Sequence, residues 1–170
     1  MYRAKLGETP YRDYGKLVSP LKPGADREST MRLIADACWE ALGQRGISWI
    51  GFYLKIPGRD EMALGPSRDK PACSPIGLHG ACGRCWQERR PIIVADVTTL
   101  GANYIACDPK DRSELVIPLL EPDGSCWGVL DADSYDPGAF SETDLTGLTR
   151  AVERVGLSTP QSPPLLPLRL

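Results

Sequence analysis

With 170 residues, 42% of them hydrophobic, the chain is long enough to bury one core and too short for two independent domains. Twenty Lys and Arg stand against 22 Asp and Glu, a formal charge of -2 spread without runs of either sign, which excludes the basic stripe that a nucleic-acid partner requires. No apolar stretch approaches the roughly 20 residues that cross a bilayer, and residues 1–10 are too polar for a signal peptide, so a cytoplasmic chain with no membrane partner is expected.

Residues 1–24, rich in Tyr, Pro, Gly and charge, show no apolar period and read as an N-terminal arm. From Arg27 onward Met31, Ile34, Cys38, Ala41 and Leu42 recur at helical spacing until Gly43 and Gly46, which predicts an amphipathic helix. The run SWIGFYLKI at 48–56, bounded by Pro57 and Gly58, predicts a strand entering a hairpin that returns near 61–64. A cysteine-containing loop follows, then a short helix over 82–90, a short buried strand over 91–97 and a long irregular connection over 98–112, a length that often carries function. Two apolar runs at 114–120 and 126–132 flank the turn Glu121-Pro-Asp-Gly124 and predict an antiparallel pair. Ser141 is placed to cap a helix, with Asp144 three residues on and Leu145, Leu148, Val152 and Val155 along one face. The proline-rich residues 158–170 predict a disordered tail. These elements sum to an α+β fold over 25–157, a single domain with a central antiparallel sheet flanked by helices.

Six cysteines, at 38, 73, 82, 85, 107 and 126, gain meaning in a reducing compartment, where structural disulfides are not expected. Cys38, on the helix face, and Cys126, at a strand start, read as small buried hydrophobes. Cys107 instead lies in a polar loop, followed by Asp108. Asp131 and Asp133 are two apart on a strand, so both point to the face of Trp127 and Val129. Two carboxylates on a buried face need a cationic or hydrogen-bonding ligand, and their crowding raises at least one carboxyl pKa. The pair Cys82 and Cys85 has dithiol spacing, with Arg84 between them and a helix N-terminus nearby, both of which favour a thiolate at Cys82. Cys73, His79, Cys82 and Cys85 form a C-x5-H-x2-C-x2-C array, but the first spacing is unusual for structural zinc and no metal is expected.

Three segments carry a resemblance: SWIGFYL at 48–54, the pair ACSPIGLHGACG at 72–83 with YIACDPKDRSELVIPL at 104–119, and GVLDADS at 128–134. Together they resemble the free methionine-R-sulfoxide reductases, a branch of the GAF-domain superfamily, from about Arg27 to Leu157. The resemblance implies a single GAF domain in which Cys107 attacks the sulfoxide and Cys73 and Cys82 resolve the oxidised enzyme. It puts Glu114, Asp131 and Asp133 in the pocket as catalytic and substrate-binding carboxyls, with Trp49 and Tyr53 as its aromatic wall. Cys85 is an addition to the family pattern and offers an alternative resolving thiol, so Cys73, Cys82 and Cys85 stay open as partners of Cys107. The chemistry suits these residue types: a thiolate attacks sulfur, an acid protonates the departing oxygen, and the resulting sulfenic acid condenses with a second thiol. Such a cycle implies no cofactor and a thioredoxin-like dithiol as reducing partner. A homodimer is compatible with the superfamily. The alternative reading is a non-enzymatic GAF module that binds a small molecule or senses redox state.

Overall fold

The computed structural model describes residues 11–105 and 107–170, so the part of the expected arm at 1–10 lies outside the described residues. Strands β1 (Trp49–Lys55), β2 (Glu61–Arg68), β3 (Ile76–Gly77), β4 (Ile92–Val94), β5 (Ser113–Leu120), β6 (Cys126–Ser134) and β7 (Leu168–Arg169) build one sheet in the order β3-β2-β1-β6-β5-β4-β7. All pairings are antiparallel except the outermost, β4 with β7. Strand alternation then divides the side chains between two faces. Ile50, Phe52, Leu115, Ile117, Leu119, Leu130 and Ala132 form the main core with α1 (Tyr14–Val18), α2 (Arg27–Leu42) and α4 (Glu142–Arg154). Trp49, Tyr53, Ile92, Val94, Val116 and Val129 occupy the other face, beneath α3 (Ala81–Glu88). Among the described residues no helix is long and apolar enough to cross a membrane.

The helix starts follow from local chemistry. Asp26 accepts the Ser29 N–H at 2.8 Å while the Ser29 hydroxyl accepts from the Asp26 N–H at 3.0 Å, a reciprocal cap that fixes α2. At α4, Asp144 Oδ2 accepts the Ser141 N–H at 2.8 Å. Its other oxygen, Oδ1, accepts from Arg12 Nη1 at 2.9 Å and from Tyr14 Oη at 2.7 Å.

That second role of Asp144 corrects the expected arm. Residues from Arg12 onward are packed, and α1 lies on α4 with the Tyr14 ring seated over Gly147, where a Cβ would collide with the ring. A five-residue helix has too few positions to show a period, and its anchors lie over 100 residues away in sequence. The tail also departs from expectation. Leu168 N–H donates to Pro91 O at 2.8 Å, Leu170 N–H to Ile93 O at 2.9 Å and Ala95 N–H to Leu170 O at 2.9 Å, laying β7 along the free edge of β4. Proline content argues against a self-contained element, yet it does not prevent the chain end from completing an edge that another part of the fold supplies.

Candidate active site

Register places the acids side by side. Asp133 of β6 lies opposite Trp49 of β1 and Glu114 of β5, and Asp131 lies opposite Gly51 and Val116. Glu114, Asp131 and Asp133 therefore share one face of two adjacent strands, β5 and β6, and Val129 shares it too. Trp127 does not. The β5–β6 register shifts at Leu119 and Leu120, leaving Trp127 as an extra residue whose ring joins the opposite core and whose Nε1–H donates to Leu157 O at 3.1 Å. One unpaired residue reverses the parity of everything before it.

These acids floor a cavity of about 130 Å³. Trp49 and Tyr53 wall it, their ring centroids 6.1 Å apart. Both also hold the neighbouring loop: Trp49 Nε1–H donates to Lys70 O at 3.0 Å and Tyr53 Oη–H to Cys73 O at 2.8 Å. The Trp49 ring lies over Gly51, where a Cβ would come within 2.5 Å of the indole. Tyr104 and Asp111 complete the lining from the long connection between β4 and β5.

At the mouth Cys107, exposed on that connection, is joined by a disulfide to the exposed Cys73, with Cα atoms 5.6 Å apart. Cys107 lines the cavity, and Cys73 stands behind it on the adjoining loop. Asp108 clasps the two loops by pairing with Lys70 Nζ and accepting from Tyr135 Oη at 2.9 Å. Cys82, on the first turn of α3, faces the floor with Sγ 4.0 Å from Glu114 Oε1. Cys85 is fully buried in the same helix. Cys38 is fully buried on α2, and Cys126 is half-buried at the start of β6. His79 is exposed and, among the described residues, joins no cluster of convergent metal donors, so the C-x5-H-x2-C-x2-C array is not assembled.

Burial dominates the electrostatics. It pushes Glu114 up to about 7, and pushes Asp131 well above the ordinary carboxyl range, helped there by Asp133 and then Glu114. Asp133 is raised by burial and then by Glu114 and Asp111. Asp111, which the sequence did not single out, is lifted to about 6 by burial, against a 3.0 Å hydrogen bond from the Ser48 hydroxyl. Glu114 and Asp131 are only 6% and 5% exposed, and apart from a proton the two carboxyls can share, Glu114 Oε2 and Asp131 Oδ1 have no hydrogen-bond partner among the described residues. The expected thiolate at Cys82 is reversed: burial first, then Asp131 and Glu114, raise its pKa well above normal. Arg84 is turned away, its Nε–H donating to Glu88 at 2.8 Å. Burial, then the nearby Cys126, likewise raise Cys85.

A sheet with three helices on one face, and α3 with a loop-covered pocket on the other, defines an α+β domain. The chain belongs to the GAF-domain family, whose profile, described as GAF domain, matches residues 24–157. It is 38% identical over 106 residues to GAF domain-containing protein A of Dictyostelium discoideum, a match covering 62% of this chain and 65% of that protein. It is 37% identical over 111 residues to the free methionine-R-sulfoxide reductase of Escherichia coli, covering 64% of each. The chain thus spans just under two thirds of the length of these curated relatives. Among solved structures, that of free methionine-R-sulfoxide reductase from Neisseria meningitidis in complex with its substrate is similar with a TM-score of 0.72 and 33% identity, covering 85% of this chain and 87% of that one.

Proposed function

We propose that this chain reduces free methionine-R-sulfoxide to methionine, with Cys107 as attacking thiol and Cys73 as resolving thiol. The observation that carries the reading is the Cys73–Cys107 disulfide at the mouth of a cavity floored by three carboxyls, two of which present unpartnered oxygens. Similarity to proteins bearing the reductase name supports it.

In this reading the floor binds the ligand through its cationic and polar ends. An ammonium group and a protonating sulfoxide oxygen supply what Glu114 Oε2 and Asp131 Oδ1 lack. Trp49 and Tyr53 pack the methylene chain. The Cys107 thiolate attacks the sulfoxide sulfur, and a floor carboxyl that burial keeps protonated near neutral pH donates to the oxygen. The oxygen passes to Cys107, so the substrate gains the two electrons that the thiol loses, and methionine departs from a cysteine sulfenic acid. Cys73 then attacks the Cys107 sulfur, the S–S bond forms and the oxygen leaves as water. An external dithiol of thioredoxin type returns both residues to thiols by exchange, for which their exposure is suited. That recycling requires a reducing compartment, which makes the cytoplasm the working location.

The burial of Cys82 and Cys85 argues for Cys73 as the resolving partner, because a raised thiol pKa leaves little thiolate to attack. The test is release of methionine from the free R and S sulfoxides with a dithiol reductant. Turnover of the R epimer, its absence for the S epimer and its loss in Cys107→Ser are expected. Full activity in that variant would overturn the assignment.

A further inference from the structure

Cys82 has no part in the cycle just described, yet it shares the floor of the cavity with two of its acids. Cys82 Sγ and one oxygen each from Glu114 and Asp131 lie within 4.8 Å of one another, all three residues buried. Sulfur and the nearer glutamate oxygen are 4.0 Å apart. Tetrahedral zinc, with bonds of about 2.3 Å to sulfur and about 2.0–2.2 Å to oxygen, holds such donors roughly 3.4–3.6 Å apart, so sulfur and the nearer glutamate oxygen must close by about 0.4 Å and the widest pair by up to about 1.2 Å. The second observation is independent of this convergence: Glu114 Oε2 and Asp131 Oδ1 are buried, have no donor among the described residues, and belong to side chains that line the cavity. A cation satisfies buried oxygens in that state, displacing the carboxyl proton as it binds.

We propose that Cys82, Glu114 and Asp131 form a binding site for one divalent transition-metal ion of the zinc class, whose occupancy excludes the sulfoxide. The thiol selects the class, since sulfur ligands favour zinc, cobalt and cadmium over magnesium and calcium. Three protein ligands leave a fourth position for water, in a cavity that all three residues line. The exclusion rests on the proposed function, because there the ammonium and sulfoxide groups need the same two carboxyls. Metal and substrate then behave as competitors, each weakening the other by the same factor. The site differs from the array noted in the sequence: it takes only Cys82 from that set and draws its other ligands from β5 and β6.

Cobalt(II) serves as the probe. Titrated anaerobically into the full chain with the Cys73–Cys107 disulfide intact, it should bind once per chain and give a thiolate-to-cobalt charge-transfer band in the near ultraviolet. The band should vanish in Cys82→Ser, persist in Cys85→Ala, and require at least about tenfold more cobalt in Glu114→Gln or Asp131→Asn. No band, or one lost with Cys85 and kept without Cys82, overturns the site. Zinc-edge absorption of the unmutated chain decides the ligand set should a variant fail to fold: one sulfur with two or three oxygens is expected, and two or more sulfurs refute it. In Cys73→Ser/Cys107→Ser, which cannot turn over, methionine-R-sulfoxide should raise the cobalt concentration needed for half-occupancy, and indifference to saturating sulfoxide refutes the exclusion. Cobalt binding as described in a chain that releases no methionine would sink the reductase reading and leave the site standing. Turnover without a band would do the reverse.

Discussion

Replacing Glu114 by Gln separates what this carboxyl does for chemistry from what it costs the fold. Burial raises the folded-state pKa from 4.5 to about 7, so the folded chain holds a proton that the unfolded chain has already released. Between those two values the folded state binds more protons, and linkage makes stability fall as pH rises. At about 1.4 kcal/mol per pH unit the interval amounts to a penalty on the order of 3 kcal/mol, absent below pH 4.5 and complete above pH 7. Gln matches Glu in shape and has no proton to lose. The variant should therefore melt with the unmutated chain at pH 4 and gain on it through neutrality, by up to about 6–12 °C at pH 8, at about 2–4 °C per kcal/mol for a chain of this size. Methionine release should fall about a hundredfold or more, the usual worth of a positioned acid. Calorimetry from pH 4 to 8 on the disulfide form, beside the turnover assay, measures both. A melting difference that ignores pH, or a variant less stable at pH 8, would show that Glu114 ionises normally in the fold and would refute the reasoning.

Three further outcomes follow from other parts of the fold. Without reductant, Cys73→Ser should release one methionine per chain and leave a sulfenic acid that dimedone traps; a Cys82–Cys107 disulfide in that variant, seen by mass mapping, would reassign the resolving step. Gly51→Ala brings a Cβ to 2.5 Å from both the Trp49 ring and Ser67 Cβ, so stability should fall by about 1–3 kcal/mol and KM should rise more than kcat falls. Unchanged KM would remove Trp49 from the binding wall. Deleting residues 166–170 removes three backbone hydrogen bonds, worth about 0.5–1.5 kcal/mol each, and bares the β4 edge. Urea midpoints should drop and sedimentation should reveal concentration-dependent association, whereas an unchanged midpoint would mean that β7 contributes nothing to the sheet.

What could be read from the sequence was whatever its neighbours in the chain decide. The period from Met31 to Leu42 and the reciprocal cap at Ser141 and Asp144 are local, and α2 and α4 formed where they point. Alternation in β6 correctly set Asp131 and Asp133 on one face, while the bulge that turned Trp127 away has no local signal in CWGVL. Packing of the opposite core decides which residue is left over. Asp111, α1 and β7 escaped for the same reason: each is defined by a partner far along the chain, Ser48 for Asp111, Asp144 for Arg12 and Tyr14, and β4 for the tail.

The cysteines show how strongly depth overrides local context. Arg84 and the start of α3 argue for a reactive Cys82, yet the fold turns Arg84 to Glu88 and sets the sulfur against carboxyls in a buried floor. Cys73 and Cys107 have no such neighbours in sequence, but they emerge exposed on loops that Lys70, Asp108 and Tyr135 hold together. A thiol that must meet first a small substrate and then a protein-borne dithiol has to sit at the mouth, where both can reach it. A buried thiol can meet only what the cavity admits. On the proposed reading, that leaves the mouth to redox exchange and the floor to ligands small enough to enter, and the same pair of acids would make those ligands rivals.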